Sequence, residues 1–207
     1  MTGIFPLAPV KTEGRTSWRA LFRAAAALCM VVGIVMAGRG ALIPVKAQVA
    51  QILLTRAFAQ SLAHGHPVRP WPWADMAPTA RLSVPRLGVR EVVLSGGSGQ
   101  AMAFGPTELR TAGRQGDSGD ALTLLAAHRD THFTFIRDLR KGDVVVLQRV
   151  KGPARRYRVT AFQTVRWDRF AVPQGHPRRL LALATCYPFD AVEQGPWRRI
   201  VWAEAIA

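Results

Sequence analysis

Residues 24–37 read AAAALCMVVGIVMA, fourteen residues without a charge, and this run limits what the chain can become. Lys11, Arg15, Arg19 and Arg23 precede it, Arg39 interrupts it, and GALIPV carries the apolar character on to Val45. A helix that crosses a bilayer needs about 20 residues. The uninterrupted run is too short for that, but residues 24–45 suffice if Arg39 snorkels toward the far interface. Basic residues before the segment and few after it place the N-terminus in the cytoplasm. The expected layout is a basic cytoplasmic tail at 1–23 and a single-pass anchor at 24–45 in the inner (cytoplasmic) membrane. Two alternatives remain: a cleaved signal peptide ending near small residues such as Ala47, and a core helix of a soluble protein. The anchor and signal readings agree that the rest of the chain lies outside the cytoplasm.

Residues 46–79 read as an amphipathic helix followed by a linker. In KAQVAQILLTRAFAQSL the apolar positions Val49, Ile52, Leu53, Ala57 and Leu62 suit a helix lying on a membrane surface or on the domain. HGHPVRPWPWADMAP then breaks the periodicity with four prolines and two tryptophans. Proline has no place in a helix interior or a central strand, so this stretch is a linker or an extended segment docked on the domain. His64 and His66 are spaced like metal ligands, but no third ligand accompanies them.

Residues 80–207 read as one mainly β domain. RLSVP, REVVL, ALTLLAAH, DVVVLQRV, RRYRVTAFQTV, RRLLALATC and RRIVWAEA are short Val- and Leu-rich runs set off by Gly-containing turns such as SGGSG. AMAFGPTELR looks like a loop with a short helical turn, and RQGDSGD like a loop. HFTFIRDLRKGD, apolar at Phe133, Ile136 and Leu139, predicts a helix of two or three turns stopped by Gly142. Seven or eight short strands with few helices suggest a closed or nearly closed antiparallel barrel.

Composition narrows the chemistry. With 49% hydrophobic and 20% charged residues the chain is too apolar to be disordered. Two cysteines, Cys29 and Cys186, exclude a disulfide scaffold and a four-thiolate zinc site. The formal charge is +15, from 28 basic and 13 acidic residues; most of it reads as a basic, solvated surface.

Cys186 closes the apolar run 180–185 and is followed by Tyr187-Pro188, which ends the strand. It has no disulfide partner, because Cys29 lies in the membrane segment. It is either a buried, inert thiol or an exposed nucleophile at a barrel mouth. His128 also closes an apolar run, LTLLAA, so two strand ends could bring imidazole and thiol together, and a nearby imidazolium stabilises a thiolate. Arg198 opens the last strand, on the face of Ile200 and Trp202, with Arg199 on the other face. An arginine beside the thiol could donate to a tetrahedral oxyanion or to the substrate backbone. Asp130 either orients His128 or caps the helix expected at 131–139.

LLAAHRDTHFTFIRDLRKGD, LALATCYPFD and GPWRRIVWA, in that order, resemble the sortases, a family of membrane-anchored cysteine transpeptidases. RLSVPRLGV and AFGPTEL resemble earlier segments of the same domain. The likeness is greatest to the sortases of Gram-negative bacteria (class GN, or marine proteobacterial), whose N-terminal region has a similar helix and Trp-Pro-Trp linker, here PWPWAD. The resemblance implies an eight-stranded closed β-barrel with short helices, preceded by the membrane helix. It implies a triad of His128, Cys186 and Arg198, with Thr185 a substrate-binding residue. Cys186 would attack the Thr–Gly bond of an LPxTG-like sorting signal to give a thioacyl enzyme, with His128 the acid and then the base. Arg198 would hold the substrate and the oxyanion. The sequence departs from the family at Ala127, often Gly before the histidine, and in reading Ala182-Leu183-Ala184-Thr185-Cys186 for Thr-Leu-x-Thr-Cys. Arg199 remains the alternative to Arg198.

The resemblance further implies one dedicated protein substrate bearing a sorting signal, and no cofactor. No metal is expected, since the twelve acids of residues 48–207 are scattered. An L,D-transpeptidase is a rival, but Thr185 and Tyr187 flank Cys186 where that family carries a His-Gly-Cys pattern. A non-catalytic, membrane-tethered binding barrel using RVKGPARRYRV and HPRRL is the other. Only Tyr157 interleaves those arginines, too few aromatics for stacking on single strands, so nucleic acid is not an expected partner.

Overall fold

A computed structural model describes residues 16–96, 99–109, 122–171, 178–193 and 195–206. The chain divides into two compact units, Met1–Ala47 and Gln48–Ala207. Helix α1, Thr16–His64, begins in the first and ends in the second, with Pro44 inside it. Residues 24–45 and 46–62 both fall within this one helix. In the first unit its apolar side chains, among them Leu28, Val31, Ile34, Val35 and Ile43, are exposed, and it is long and apolar enough to cross a membrane.

In the second unit the buried face of α1 shares Ala57 with the apolar positions expected but is otherwise a different one. The buried residues are Ala50, Leu54, Ala57, Phe58 and Ser61, whereas Val49, Ile52 and Leu62 are exposed. Spacings of four, three and four residues keep that buried set on one helical stripe. Its choice follows from bulk, because Phe58 and Leu54 fill a cluster with Met76, Val92, Leu94, Ala101 and Val150. The Arg81 guanidinium covers the Phe58 ring at 4.5 Å. Gly65, at φ 70°, ends the helix by donating to Ser61 O at 2.9 Å, a left-handed cap that suits glycine. Ser61 Oγ donates to Ala57 O and accepts from Val68 N at 2.8 Å, which starts the proline-rich segment back along the domain. Trp71 then meets Phe104 edge-on at 5.5 Å. Trp73 is exposed.

Eight strands form a closed barrel: β1 Pro78–Val84, β2 Val89–Leu94, β3 Thr107–Leu109, β4 Leu122–Ala126, β5 Val144–Arg149, β6 Arg155–Arg166, β7 Leu180–Cys186 and β8 Trp197–Ile206. The order around it is β1-β2-β3-β4-β7-β8-β6-β5, closed by β5 on β1. It is not wholly antiparallel, since β2 pairs β3 and β4 pairs β7 in parallel. A short helix, α2 Gly99–Phe104, precedes β3. The RQGDSGD loop lies outside the described residues.

Alternation sorts the side chains. Leu82, Val93, Leu125, Val145, Leu147, Tyr157, Val159, Leu181, Leu183, Val201 and Ala203 fill the interior. The opposite face of β4, β7 and β8 carries Leu124, Leu180, Ala182, Ile200 and Trp202. Both faces of β4 and β7 are thus apolar, which explains their unbroken hydrophobic runs. A register shift in β6 between Val159 and Ala161 leaves Thr160 as the extra residue, so Ala161, Gln163 and Val165 stand on the outer face opposite Trp202, Ile200 and Arg198.

The helix expected in HFTFIRDLRKGD is a single 3-10 stretch, Thr134–Asp138. Phe133, Phe135, Ile136 and Leu139 are all buried. These positions do not share one α-helical face, and the segment folds so that all four join the barrel core. Asp143 holds its end: it accepts from Arg86 Nε at 2.6 Å and Nη2 at 2.7 Å, and from Arg140 N at 2.7 Å. Chiefly the Arg86 hydrogen bonds hold the Asp143 carboxyl below its ordinary range. A depressed carboxyl contributes stability that is present above its unfolded pKa, about 3.9, and is lost as pH falls through the folded value. Asp143→Asn is therefore expected to lower Tm at pH 7, with the gap to wild type closing below about pH 4, as read by calorimetry across pH.

Candidate functional site

The site sits where β4, β7 and β8 end together. In the parallel β4–β7 ladder Ala126 faces Ala184. The ladder runs one step beyond the strand, because Ala127 N donates to Ala184 O at 3.3 Å. His128 is therefore level with Cys186 on a neighbouring chain segment, and strands in a sheet lie about 4.8 Å apart. In the antiparallel β7–β8 ladder Cys186 faces Arg198 directly; such partners share a face, with Cβ atoms about 4.5–5.5 Å apart. Alternation puts Ala182, Ala184 and Cys186 on the outer face, with Ile200 and Arg198 across from them.

This outer face is an apolar floor. Ala182, Leu180, Leu124 and Ile200 are buried in it, and Trp202 stacks on Phe170 at 5.9 Å. Trp202 Nε1 also donates to Gln163 at 3.1 Å. Ala126 and Ala184 are half-buried, Cys186 is half-buried and His128 is exposed. The open end of the floor is thus lined by the small residues Ala126 and Ala184 and carries the Cys186 thiol, with His128 two residues beyond Ala126.

Thr185 faces the other way. It is 2% exposed, and its hydroxyl donates to Ala127 O at 2.8 Å. The side chain ties β7 to the residue before His128, which leaves the hydroxyl engaged inside the barrel rather than turned to the groove. Arg199 shares that inner face: its guanidinium lies 5.0 Å from the Phe162 ring centre and 5.9 Å from that of Tyr187, and Nη1 donates to Thr164. Arg198 lies on the Cys186 side, with Nη1 donating to the carbonyls of Gly195 and Trp197 at 2.8 Å.

Asp130 neither caps a helix nor bonds His128. The 3-10 stretch begins at Phe133 with no side-chain cap, and Asp130 accepts from Arg129 Nε at 3.1 Å. The His128 carbonyl is fixed by Phe133 N at 3.0 Å. The residues that the sequence did not single out are those holding the site's edges. Arg129, 6% exposed, donates to Pro188 O at 2.6 Å and to Ala191 O. Arg137 lies over the Phe189 ring at 5.5 Å, and His132 bonds Glu91 at 2.9 Å. Strand parity carries a signal for Arg129, since a residue after an outward-facing histidine points inward. The His64 and His66 rings stack at 5.8 Å.

A family model described as Sortase domain matches residues 82–206. Among curated proteins none matches the sequence. Solved structures with a similar fold include Sortase A from Corynebacterium diphtheriae, at 20% identity and TM-score 0.56, covering 65% of this chain and 63% of that one. Pilus-related Sortase C of Group B Streptococcus matches at 23% identity and TM-score 0.51, covering 63% of this chain and 68% of that one. Listeria monocytogenes sortase A matches at 21% identity and TM-score 0.52, covering 63% of this chain and 88% of that one. The chain thus spans less than two thirds of the Corynebacterium protein it matches.

Replacing Thr185 tests the tie between the two strands. Thr185→Val keeps the volume but leaves the Ala127 carbonyl unpaired, at an expected cost of about 1–3 kcal/mol in urea denaturation. Thr185→Ser, which keeps the hydroxyl, should lose less.

Proposed function

The chain belongs to the sortase family, and on that premise we propose that it is a membrane-anchored cysteine transpeptidase acting on a C-terminal sorting signal. The observation that supports this reading is the shared end of three strands: Cys186 pairs with Arg198, and β4, whose Ala126 pairs with Ala184, ends two residues before His128. Each residue then has a role its position suits.

The Cys186 sulfur attacks the carbonyl carbon of the Thr–Gly bond in an LPxTG-like signal. The thiolate is the reactive form, and an adjacent imidazolium favours it. Arg198 donates hydrogen bonds to the oxyanion of the tetrahedral intermediate and to the bound peptide. The carbonyls of Gly195 and Trp197, by accepting from its Nη1, keep the guanidinium beside the strand end. His128 gives its proton to the departing amine, leaving the acyl group on sulfur as a thioester. It then takes a proton from the incoming amine, or from water, as that nucleophile releases Cys186. The small, half-buried side chains of Ala126 and Ala184 leave room for a peptide backbone at the open end of the floor. Thr185 contributes from beneath, by fixing Ala127 and with it the start of the His128 segment.

The long apolar part of α1 supports an anchor in the inner membrane, and the basic residues before it support a cytoplasmic N-terminus and an extracytoplasmic barrel. PWPWAD, with Trp71 docked against Phe104, favours the class GN branch of the family. The substrate is one dedicated protein carrying the signal, and no cofactor takes part.

Full-length protein in detergent is the material for the test, with cleavage of a sorting-signal peptide followed by chromatography. Cys186→Ala and His128→Ala are expected to abolish cleavage while the domain stays folded. Arg198→Lys is expected to lower kcat/KM by about 10²-fold, and Arg199→Lys far less. A larger loss for Arg199→Lys would transfer the oxyanion role to that residue, and full activity in folded Cys186→Ala would end the proposal.

A further inference from the structure

Arg129 is a buried cation with few ionic partners. The residue is 6% exposed, whereas the side chain of Asp130, its only carboxylate partner among the described residues, is 70% exposed. Its remaining described bonds go to two backbone carbonyls, those of Pro188 and Ala191. Burying a guanidinium is costly unless its donors are well satisfied. A rigid fork of N–H groups can bridge two carbonyls at once, which an ammonium does less well. Both carbonyls belong to the turn that leaves Cys186 and returns to Arg198, while Arg129 itself is bonded covalently to His128. The guanidinium thus joins the histidine's segment to the turn connecting the other two site residues. Other contacts run in the same direction. Arg137 covers Phe189 in that turn, and Tyr187 N donates to Trp197 O at 3.1 Å across its base.

We propose that Arg129 is a positioning residue, which fastens the segment carrying His128 to the turn between Cys186 and Arg198 so that the three side chains keep one geometry through the reaction. This rests on the sortase-type reading of the site for its catalytic consequence, but not for the fastening itself. Arg129 touches no reacting atom. It acts through the backbone on either side of the thiol, so its loss is felt in turnover more than in peptide binding. A displacement of about 1 Å at a catalytic group can cost 10²-fold in rate.

The test uses full-length Arg129→Met and Arg129→Lys with two readouts. In peptide transacylation, Arg129→Met is expected to lower kcat by about 10²-fold with KM changed by less than about twofold. Arg129→Lys, which keeps the charge and some of the donors, should recover part of that loss. In hydrogen exchange, Arg129→Met should raise exchange together at residues 128–133 and 187–193, leaving the centres of β4 and β7 protected. If Arg129→Met does not fold, the lysine variant carries both readouts, with a smaller loss of kcat and the same paired rise in exchange. Unchanged exchange in these two segments, or a loss confined to KM, overturns the proposal. If wild type itself fails to process any sorting-signal peptide, the transpeptidase reading fails. The paired rise in exchange would then still establish the fastening.

Discussion

Parallel pairing of β4 with β7 decides where the chemistry can be. These strands are distant in sequence, and their five register pairs bring Ala126 beside Ala184. Two further bonds carry the alignment past the end of β4: Ala127 N to Ala184 O, and the Thr185 hydroxyl to Ala127 O. His128 and Cys186 follow at the same level. A slip of one residue would turn either side chain to the opposite face. The burial of Leu125, Leu181 and Leu183, each at 0% exposure, makes such a slip costly, because it would move the core outward. The alignment of the site is thus underwritten by the packing of the barrel.

The third residue depends on a different pairing. β8 is placed by β7 on one side and β6 on the other, and its long ladder with β6 includes the bulge at Thr160. Without that bulge the far half of β6 would present Phe162 and Thr164 outward. With it, Ala161, Gln163 and Val165 face out opposite Trp202, Ile200 and Arg198, while Phe162 and Thr164 meet Arg199 on the other face. Strand parity therefore puts the two adjacent arginines on opposite faces of β8.

Much of this was legible in the residues. Seven of the eight strands are signalled by Val- and Leu-rich runs, whereas β3 is only three residues long and lies inside AMAFGPTELR, which reads as a loop with a helical turn. Strand parity also put Arg198 on the Cys186 face, as the β7–β8 register shows, while the roles proposed for His128, Cys186 and Arg198 rest on the likeness of LALATCYPFD and LLAAHRDTHF to family motifs. Less legible was whatever depends on partners distant in sequence. The parallel direction of β4 against β7 leaves no mark in either run. The helix expected after His128 failed because Phe135, between two spaced apolar positions, is also buried and pulls the chain off a helical path. The packed face of α1 was misjudged because Phe58 and Leu54 find a cavity whose other walls come from β2, α2 and the segment before β1. Nothing local marks the bonds of Arg129, since its carbonyl partners lie about sixty positions further on.

In the proposed reaction Cys186 carries the acyl half of a sorting signal, as a thioester, between donor and acceptor. Intact-mass spectrometry of the protein, quenched in acid during turnover of an LPxTG-like peptide, tests it directly. The expected result is a mass increase equal to the peptide up to its threonine less one water, mapped to Cys186 and removed by hydroxylamine. Peptide cleaved by the protein with no adduct on Cys186, or with an adduct mapped to another residue, would contradict it.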